Sequence, residues 1–269
     1  LTAKVIEQLH SAASTGLSVL HCSVDLQRSV SEIQMEIAGW TWNGRRFGLP
    51  HKWNDRTIYY STEQGFVPVS KYENSLIKLV PTDWGPPTFE IDGIKMLPSA
   101  KISPYLDAAA KVSFIQPRGK LILDTCGGLG YFADWCLQGL ASQVHSFEKN
   151  EDVLWLRSLN PWSPEECAPL VLKCADVTVA IVEIADRFYD AILHDPPRFG
   201  IAGELYSQVF YDQLARVLKY RGKLFHYTGS PNKLTSQRDV QNEVAGRLRR
   251  AGFKVQSKGD GLLAEKTTR

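Results

Sequence analysis

Residues 121–133 read LILDTCGGLGYFA, and this stretch decides the fold. Leu121, Ile122 and Leu123 make a short apolar run suited to a fully buried strand, closed by Asp124. Gly127, Gly128 and Gly130 crowd the turn that follows. Leu129, Phe132, Ala133, Cys136, Leu137 and Leu140 then repeat at the spacing of one amphipathic helix face. Glycines in such a turn let backbone approach a ligand closely, and the helix-start amides face it. Tight strand-to-helix turns use glycine for conformational reasons alone, so the turn needs company to define a site.

Working outward from this unit, helix and strand alternate to the end of the chain. ISPYLDAAAKVSFI reads as a helix ahead of it. After it come strand QVHSFE, helix EDVLWLRSL stopped before Pro161, strand LVLKC, helix VTVAIVEIA and strand YDAILHD. A helix carrying Phe210, Leu214, Val217 and Leu218, strand GKLFHYTG, helix RDVQNEVAGRLRRAGF and strands at FKVQS and GLLAEK complete the series. Alternation of this kind predicts an α/β fold, a mostly parallel sheet covered by helices on both faces.

Toward the N-terminus the pattern differs. A short amphipathic helix over residues 1–10 precedes β-like segments at VLHCSVDL, SEIQMEIAGW, RTIYYS, GFVPVS and NSLIKLV. Asn43-Gly44 marks a hairpin turn. TDWGPPTFEIDG, dense in Gly and Pro, reads as a loop or linker. The expected organisation is therefore a smaller, mainly β accessory or substrate-recognition domain over residues 1–99 and a catalytic domain over residues 100–269.

Composition narrows the class without choosing a partner. The 269 residues are 43% hydrophobic and 22% charged with net charge +2, as expected of a soluble protein with a full core. A near-neutral total neither demands nor excludes a nucleic-acid partner, because a local basic face is compatible with it. Five cysteines, an odd number without a CxxC pair, point to reduced thiols in a cytoplasmic protein rather than to disulfides or zinc. No apolar run reaches the length of a membrane span, and the first residues lack a signal-peptide core.

What lifts the glycine turn is a row of carboxylates after successive strands. Glu148, with Lys149 beside it, ends the second strand, where an acidic side chain can accept both hydroxyls of a ribose. Asp176 follows the third, placed either to reach an adenine amine or to cap a helix. Asp195 ends the fourth, in HDPPRF. Each alone is an ordinary strand-end residue. In sequence they line one sheet edge, the edge at which such folds bind ligands.

In this order the chain resembles the class I S-adenosylmethionine-dependent methyltransferases. The resemblance implies their Rossmann-like fold, a mostly parallel seven-stranded sheet, with S-adenosylmethionine as cofactor and S-adenosylhomocysteine as product. Asp124, Cys126, Gly128, Gly130, Glu148, Lys149, Asp176 and Asp195 would form the cofactor set, with Cys126 standing where the family usually has its first glycine. HDPPRFG also resembles the D/N/S-P-P-aromatic motif of amino-group methyltransferases, in which the acidic side chain and the following proline carbonyl orient the target NH2. Arg198 takes the place of the usual aromatic and Phe199 follows it. Asp195, Pro196, His194 and Phe199 are the catalytic candidates, although Pro196 and Pro197 can also simply end a strand and a strand-end histidine is often structural. Arg198 can stack on a base, or clamp a small carboxylate or phosphate.

From about residue 75 to residue 260 the chain resembles a family of archaeal-type methyltransferases implicated in dimethylating the exocyclic amine of a cytidine in small-subunit ribosomal RNA. That resemblance implies RNA as partner and a base pocket from Asp195, Pro196 and Phe199, supported by Asn160, Trp162, Tyr206, His226 and Tyr227. Asn160 and Trp162 serve equally well as helix-stop and packing residues. Trp40, Trp42, Arg45, Arg46, Phe47 and Lys52 suit either single-stranded RNA stacking or a hairpin carrying core aromatics. Arg247, Arg249 and Arg250 fit a solvated helix face. A small-molecule amine methyltransferase, an aminopropyltransferase on the same fold and a non-catalytic binding module are the alternatives.

Overall fold

A computed structural model describes residues 1–229 and 239–268, and Arg238 of the expected tail helix lies outside them. The chain forms two compact units, Leu1–Asp107 with Trp155–Trp162, and Ala108–Leu154 with Ser163–Arg269.

The second unit is built on a seven-stranded sheet. Its strands are β11 (Leu121–Asp124), β12 (Gln143–Glu148), β13 (Leu170–Cys174), β14 (Tyr189–His194), β15 (Leu218–Tyr227), β16 (Phe253–Lys258) and β17 (Gly261–Lys266). They lie in the order β13-β12-β11-β14-β15-β17-β16, and β17 alone runs against its neighbours. The chain leaves β11 outward through β12 and β13, then returns to place β14 on the other side of β11. The strand order therefore reverses between β11 and β14, the switch point at which open α/β sheets bind ligands. This is the Rossmann-like α/β fold expected from the alternation.

The helices of this region are α2 (Pro104–Ile115), α3 (Tyr131–Gln138), α4 (Glu151–Ser158), α5 (Val177–Ala180), α6 (Gln208–Val217) and α7 (Val240–Arg250). Helix α6 starts where the Ser207 hydroxyl accepts the Phe210 amide, and it buries Phe210, Tyr211, Leu214 and Val217. Helix α7 opens on Asp239 in the same way and buries Val240, Val244 and Leu248. Both faces enter one core with Leu123, Ile192, Leu224 and Ala264 of the sheet. Arg249 and Arg250 stay exposed. Leu218, expected in a helix, is extended instead; it caps α6 and already pairs with Tyr189 of β14. VTVAIVEIA forms α5 and then a tighter 3₁₀ turn over Ile181–Glu183.

The first unit is mainly β. Helix α1 (Ala3–Ser14) precedes a sheet of β1 (Val19–Cys22), β2 (Ser31–Glu36), β3 (Gly39–Trp42) and β4 (Arg45–Gly48). β3 and β4 meet at Asn43-Gly44, both at positive φ, the turn the sequence predicts. A hairpin of β5 (Tyr59–Thr62) and β6 (Gly65–Pro68) follows. A second sheet holds β7 (Ser70–Tyr72), β8 (Leu76–Val80), β9 (Thr88–Ile91) and β10 (Ile94–Lys95). Strand β9 corrects the loop expected over TDWGPPTFEIDG. Gly85, Pro86 and Pro87 form the loop, while Thr88–Ile91 pair with both β8 and β10. Neither the gain from those two partners nor the burial of Phe89 and Glu90 is visible in local composition.

Trp40 of this unit is buried, stacked on Phe47 at 4.5 Å, in a core with Leu9, Ile33 and Tyr59. The aromatic hairpin is thus core-forming, and Arg45 and Arg46 are exposed on it. Among the described residues no helix is long and apolar enough to cross a membrane.

Ile192, fully buried in the centre of β14, measures how tightly this sheet is packed. Ile192→Ala is expected to lower unfolding free energy by about 2–5 kcal/mol, read by urea denaturation.

Candidate functional site

The carboxylates sit on the C-terminal rim of the seven-stranded sheet because each ends its strand or begins the loop after it. Parallel pairing aligns them: Asp124 lies opposite Ser146 of β12 and Leu193 of β14, and Glu148 lies opposite Cys174 of β13. Cys126, Gly128, Gly130, Lys149, Asp176 and Asp195 follow directly on these strands. The whole expected cofactor set therefore occupies one rim.

The glycine turn is stitched to the strands on both sides. The Thr125 amide donates to the Leu193 carbonyl (3.1 Å) and the Gly127 amide to the Phe147 carbonyl (2.7 Å). Gly128 and Gly130 adopt φ of +49° and +83°, conformations costly for other residues, and Gly130 opens α3 without any side-chain cap. Asp124 is fully buried and accepts the Ser146 hydroxyl at 2.8 Å.

Glu148 faces the turn. One carboxylate oxygen accepts the Gly128 amide (3.1 Å) and the other the Asn150 amide (2.9 Å). Asp176 caps α5, taking the Thr178 amide at 2.9 Å and its hydroxyl at 2.7 Å. Burial works against its charge, but the Thr178 hydrogen bonds and the Lys149 ammonium outweigh it and lower the pKa. Lys149 bridges Asp176 and Glu204, each at 3.5 Å, and these two charges raise its pKa in spite of partial burial. The Cys126 thiol is pushed well up, first by burial and then by the Glu148 charge, so it stays protonated at neutral pH.

Asp195 opens the DPP loop and is half-buried. Its Oδ2 receives the Lys111 ammonium at 3.0 Å. Lys111 comes from α2, is buried, and lies 3.7 Å from the centroid of the Tyr227 ring and 5.6 Å from that of Phe132. Sequence reading missed this residue, which sits among the alanines of a helix with no motif around it. The Tyr206 hydroxyl donates to the Pro197 carbonyl at 3.0 Å, and its ring meets Phe199 edge-on at 5.4 Å. Tyr206 is thereby a support of the loop, buried beneath it. Arg198 is exposed.

His194 and His226 occupy a different position from the one expected. They pair across β14 and β15, are fully buried, and their rings meet at 4.4 Å. His194 Nε2 donates to the Leu205 carbonyl (3.1 Å), so its neutral ring accepts the Thr125 hydroxyl at Nδ1 (2.7 Å). His226 Nδ1 donates to the Tyr227 carbonyl and Nε2 accepts the Tyr211 hydroxyl, both at 2.9 Å. Burial holds His194 down at about 4 and His226 well below the usual value, the latter also through His194. His194, a catalytic candidate in the sequence, and His226, expected to support a base pocket, thus both lie fully inside the sheet. With both nitrogens of each ring committed inside the sheet, they brace the strands. Asn160 and Trp162 belong to the first unit, where Asn160 Oδ1 accepts the Trp162 amide (3.2 Å) and Trp162 Nε1 donates to the Leu26 carbonyl (2.9 Å).

Comparison with known proteins agrees with this architecture. The uncharacterized protein MJ1233 of Methanocaldococcus jannaschii is 39% identical over 198 residues, covering 73% of this chain and 68% of that protein. The chain belongs to the MJ1233 family. No family model matches it. Among solved structures, spermidine synthase in complex with the transition state analogue AdoDATO superposes with a TM-score of 0.60 at 16% identity, over 78% of this chain and 80% of that one. MNMC2 from Aquifex aeolicus superposes with a TM-score of 0.53 at 19% identity, over 73% and 72%. At such identities the likeness is one of fold, which this MJ1233-family chain shares.

The buried histidines make stability depend on pH. The unfolded chain protonates histidine near 6.5, whereas folded His194 does so only near about 4. Between these values the unfolded state binds more protons, so stability falls as pH drops through that window, by roughly 3 kcal/mol from His194 alone. Urea denaturation from pH 7 to pH 4 should show this slope, and His194→Asn should reduce it, leaving the part that His226 contributes. Thiol labelling at neutral pH is expected to modify exposed Cys167 and Cys174 and to spare Cys126 and Cys136, whose thiols burial raises.

Proposed function

We propose that this chain is an S-adenosylmethionine-dependent N-methyltransferase acting on an exocyclic amine, with cytosine N4 of ribosomal RNA as the acceptor. The observation that carries the reading is the braced DPP loop one strand away from a glycine turn with an oriented carboxylate. Asp195 is held by Lys111, and the Pro197 carbonyl by Tyr206.

The residues of the turn fit the nucleoside. Gly128 and Gly130 leave backbone without side chains at the switch point, the oriented Glu148 carboxylate would receive a ribose, and Asp176 after the third strand would approach an adenine amine. S-adenosylmethionine supplies an activated methyl group on a positively charged sulfur. The chain itself must align the acceptor. The Asp195 carboxylate and the Pro196 carbonyl would accept the two N–H bonds of the amine, turning the nitrogen lone pair toward the sulfur. Two successive prolines restrict the backbone, so these acceptors are ordered before substrate arrives. Phe199 and Tyr227 supply ring surface for a flat base, and exposed Arg198 suits a phosphate or a second base. The first unit would serve recognition of the larger partner.

Asp195→Ala is expected to abolish methyl transfer to ribosomal RNA while calorimetric binding of S-adenosylmethionine persists. Glu148→Ala should instead weaken that binding at least tenfold, the loss of about 1.4 kcal/mol or more from a charge-assisted pair of hydrogen bonds. Mass spectrometry of ribosomal RNA nucleosides from a deletion strain should lack a methylated cytidine. An unchanged nucleoside profile, together with transfer to a small amine, would select the small-molecule methyltransferase or aminopropyltransferase alternative.

A further inference from the structure

The aromatic hairpin does not fill its own unit. Beside it lies a cleft enclosing about 640 Å³ of empty space, and all of its lining residues belong to the first unit. Small-ligand sites have ~300–1,000 Å³. Trp40, Trp42, Phe47, Tyr60 and Phe66 bring five aromatic rings to it, and Ser61 brings a hydroxyl. Trp40 and Trp42 point to the same side of β3, because side chains alternate along a strand. Trp40 is 2% exposed, and its Nε1–H is buried with no acceptor among the described residues. A buried indole N–H ordinarily finds a partner, and leaving one unmatched costs about 1–3 kcal/mol. Positive charge stands beside the same rings: the Arg45 guanidinium lies 5.3 Å from the Phe47 centroid, while neighbouring Arg46 is engaged by Glu36 at 2.7 Å.

We propose that this cleft is a second RNA-binding site, which takes one unpaired nucleobase of single-stranded RNA away from the rim of the seven-stranded sheet. The inference rests on RNA being the partner of the chain. A base meets all three features at once. Its flat faces suit the aromatic rings, since base–aromatic stacking contributes about 1–3 kcal/mol per base. Its edge carries carbonyl and ring-nitrogen acceptors of the kind that Trp40 Nε1–H lacks. Its phosphate is attracted by Arg45. An aliphatic side chain would fill the space but would leave the indole N–H unmatched and the arginine unused. The site reads an exposed base through its ring and edge, so it favours unpaired RNA over a duplex.

The test is binding of single-stranded octacytidylate to the full chain without S-adenosylmethionine, followed by fluorescence anisotropy and by NMR of the indole N–H groups. The chain has seven tryptophans, and the Trp40 signal is the one that Trp40→Phe removes. That signal should move downfield when the octamer is added and stay in place with an abasic octamer of equal charge. Trp40→Phe keeps a ring but removes the donor, and should weaken octamer binding about tenfold, the loss of one hydrogen bond. Ser61→Trp occupies the cleft from its wall without altering Trp40 and should weaken binding at least tenfold; it carries the test if Trp40→Phe does not fold. An octamer that fails to bind, a Trp40 signal that does not respond to it, or unchanged affinity in a folded variant overturns the inference. So does a Trp40 signal moved by acetyl-leucine amide and not by the octamer, which would assign the cleft to an apolar protein side chain. Methyl transfer is no part of this readout. A chain that binds the octamer in this pattern and methylates no RNA refutes the proposed reaction and leaves the base site standing.

Discussion

The parallel pairing of β11 with β14 is the constraint on which the site depends. Asp124 lies opposite Leu193, so the glycine turn and the DPP loop leave the sheet side by side from adjacent strands. The Thr125 amide on the Leu193 carbonyl extends that pairing past the end of β11, and the Thr125 hydroxyl on His194 locks it from the side. A shift of one residue in this register would turn Asp124 and Asp195 to opposite faces, since side chains alternate along a strand.

Beneath that rim, the sheet holds two uncharged histidines where apolar residues would pack more simply. Buried polar groups are tolerated when every donor and acceptor is matched, and a fully matched network then fixes one arrangement more sharply than apolar packing does. Thr125, Leu205, Tyr211 and the Tyr227 carbonyl provide the matching partners. The network runs from the turn after β11, through β14, to β15 and α6, and so ties the ends of three strands to one helix. It gives the rim rigidity.

Charge inside the site follows a different logic. Removing an ammonium and a carboxylate from water costs several kcal/mol for each, and their attraction repays it only when geometry is good. A pair such as Lys111 with Asp195 is therefore weak evidence for stability and better evidence for use. Glu148, by contrast, takes its order from backbone amides, which bring no opposing charge. Two carboxylates on one rim are thus oriented by different means, Asp195 meeting an ammonium and Glu148 meeting backbone amides.

The sequence by itself determined the alternating architecture, the glycine turn and the strand-end carboxylates. These are local signals: an apolar run, a bend rich in glycine, and an acidic residue where each run stops. The Asn43-Gly44 hairpin was legible for the same reason, because both residues tolerate positive φ. Tertiary structure alone decided what those residues touch. Lys111 looks like a solvated position in an alanine-rich helix until α2 carries it to Asp195. His194 reads equally as a catalytic candidate or a structural residue until the register of β14 and β15 sets it against His226. Trp40 suits a stacking surface or a core until β3 places it in the core, and Thr88–Ile91 look like loop until two neighbouring strands satisfy their backbone. In each case the deciding energy is desolvation or pairing between residues far apart in the chain, which no local pattern encodes.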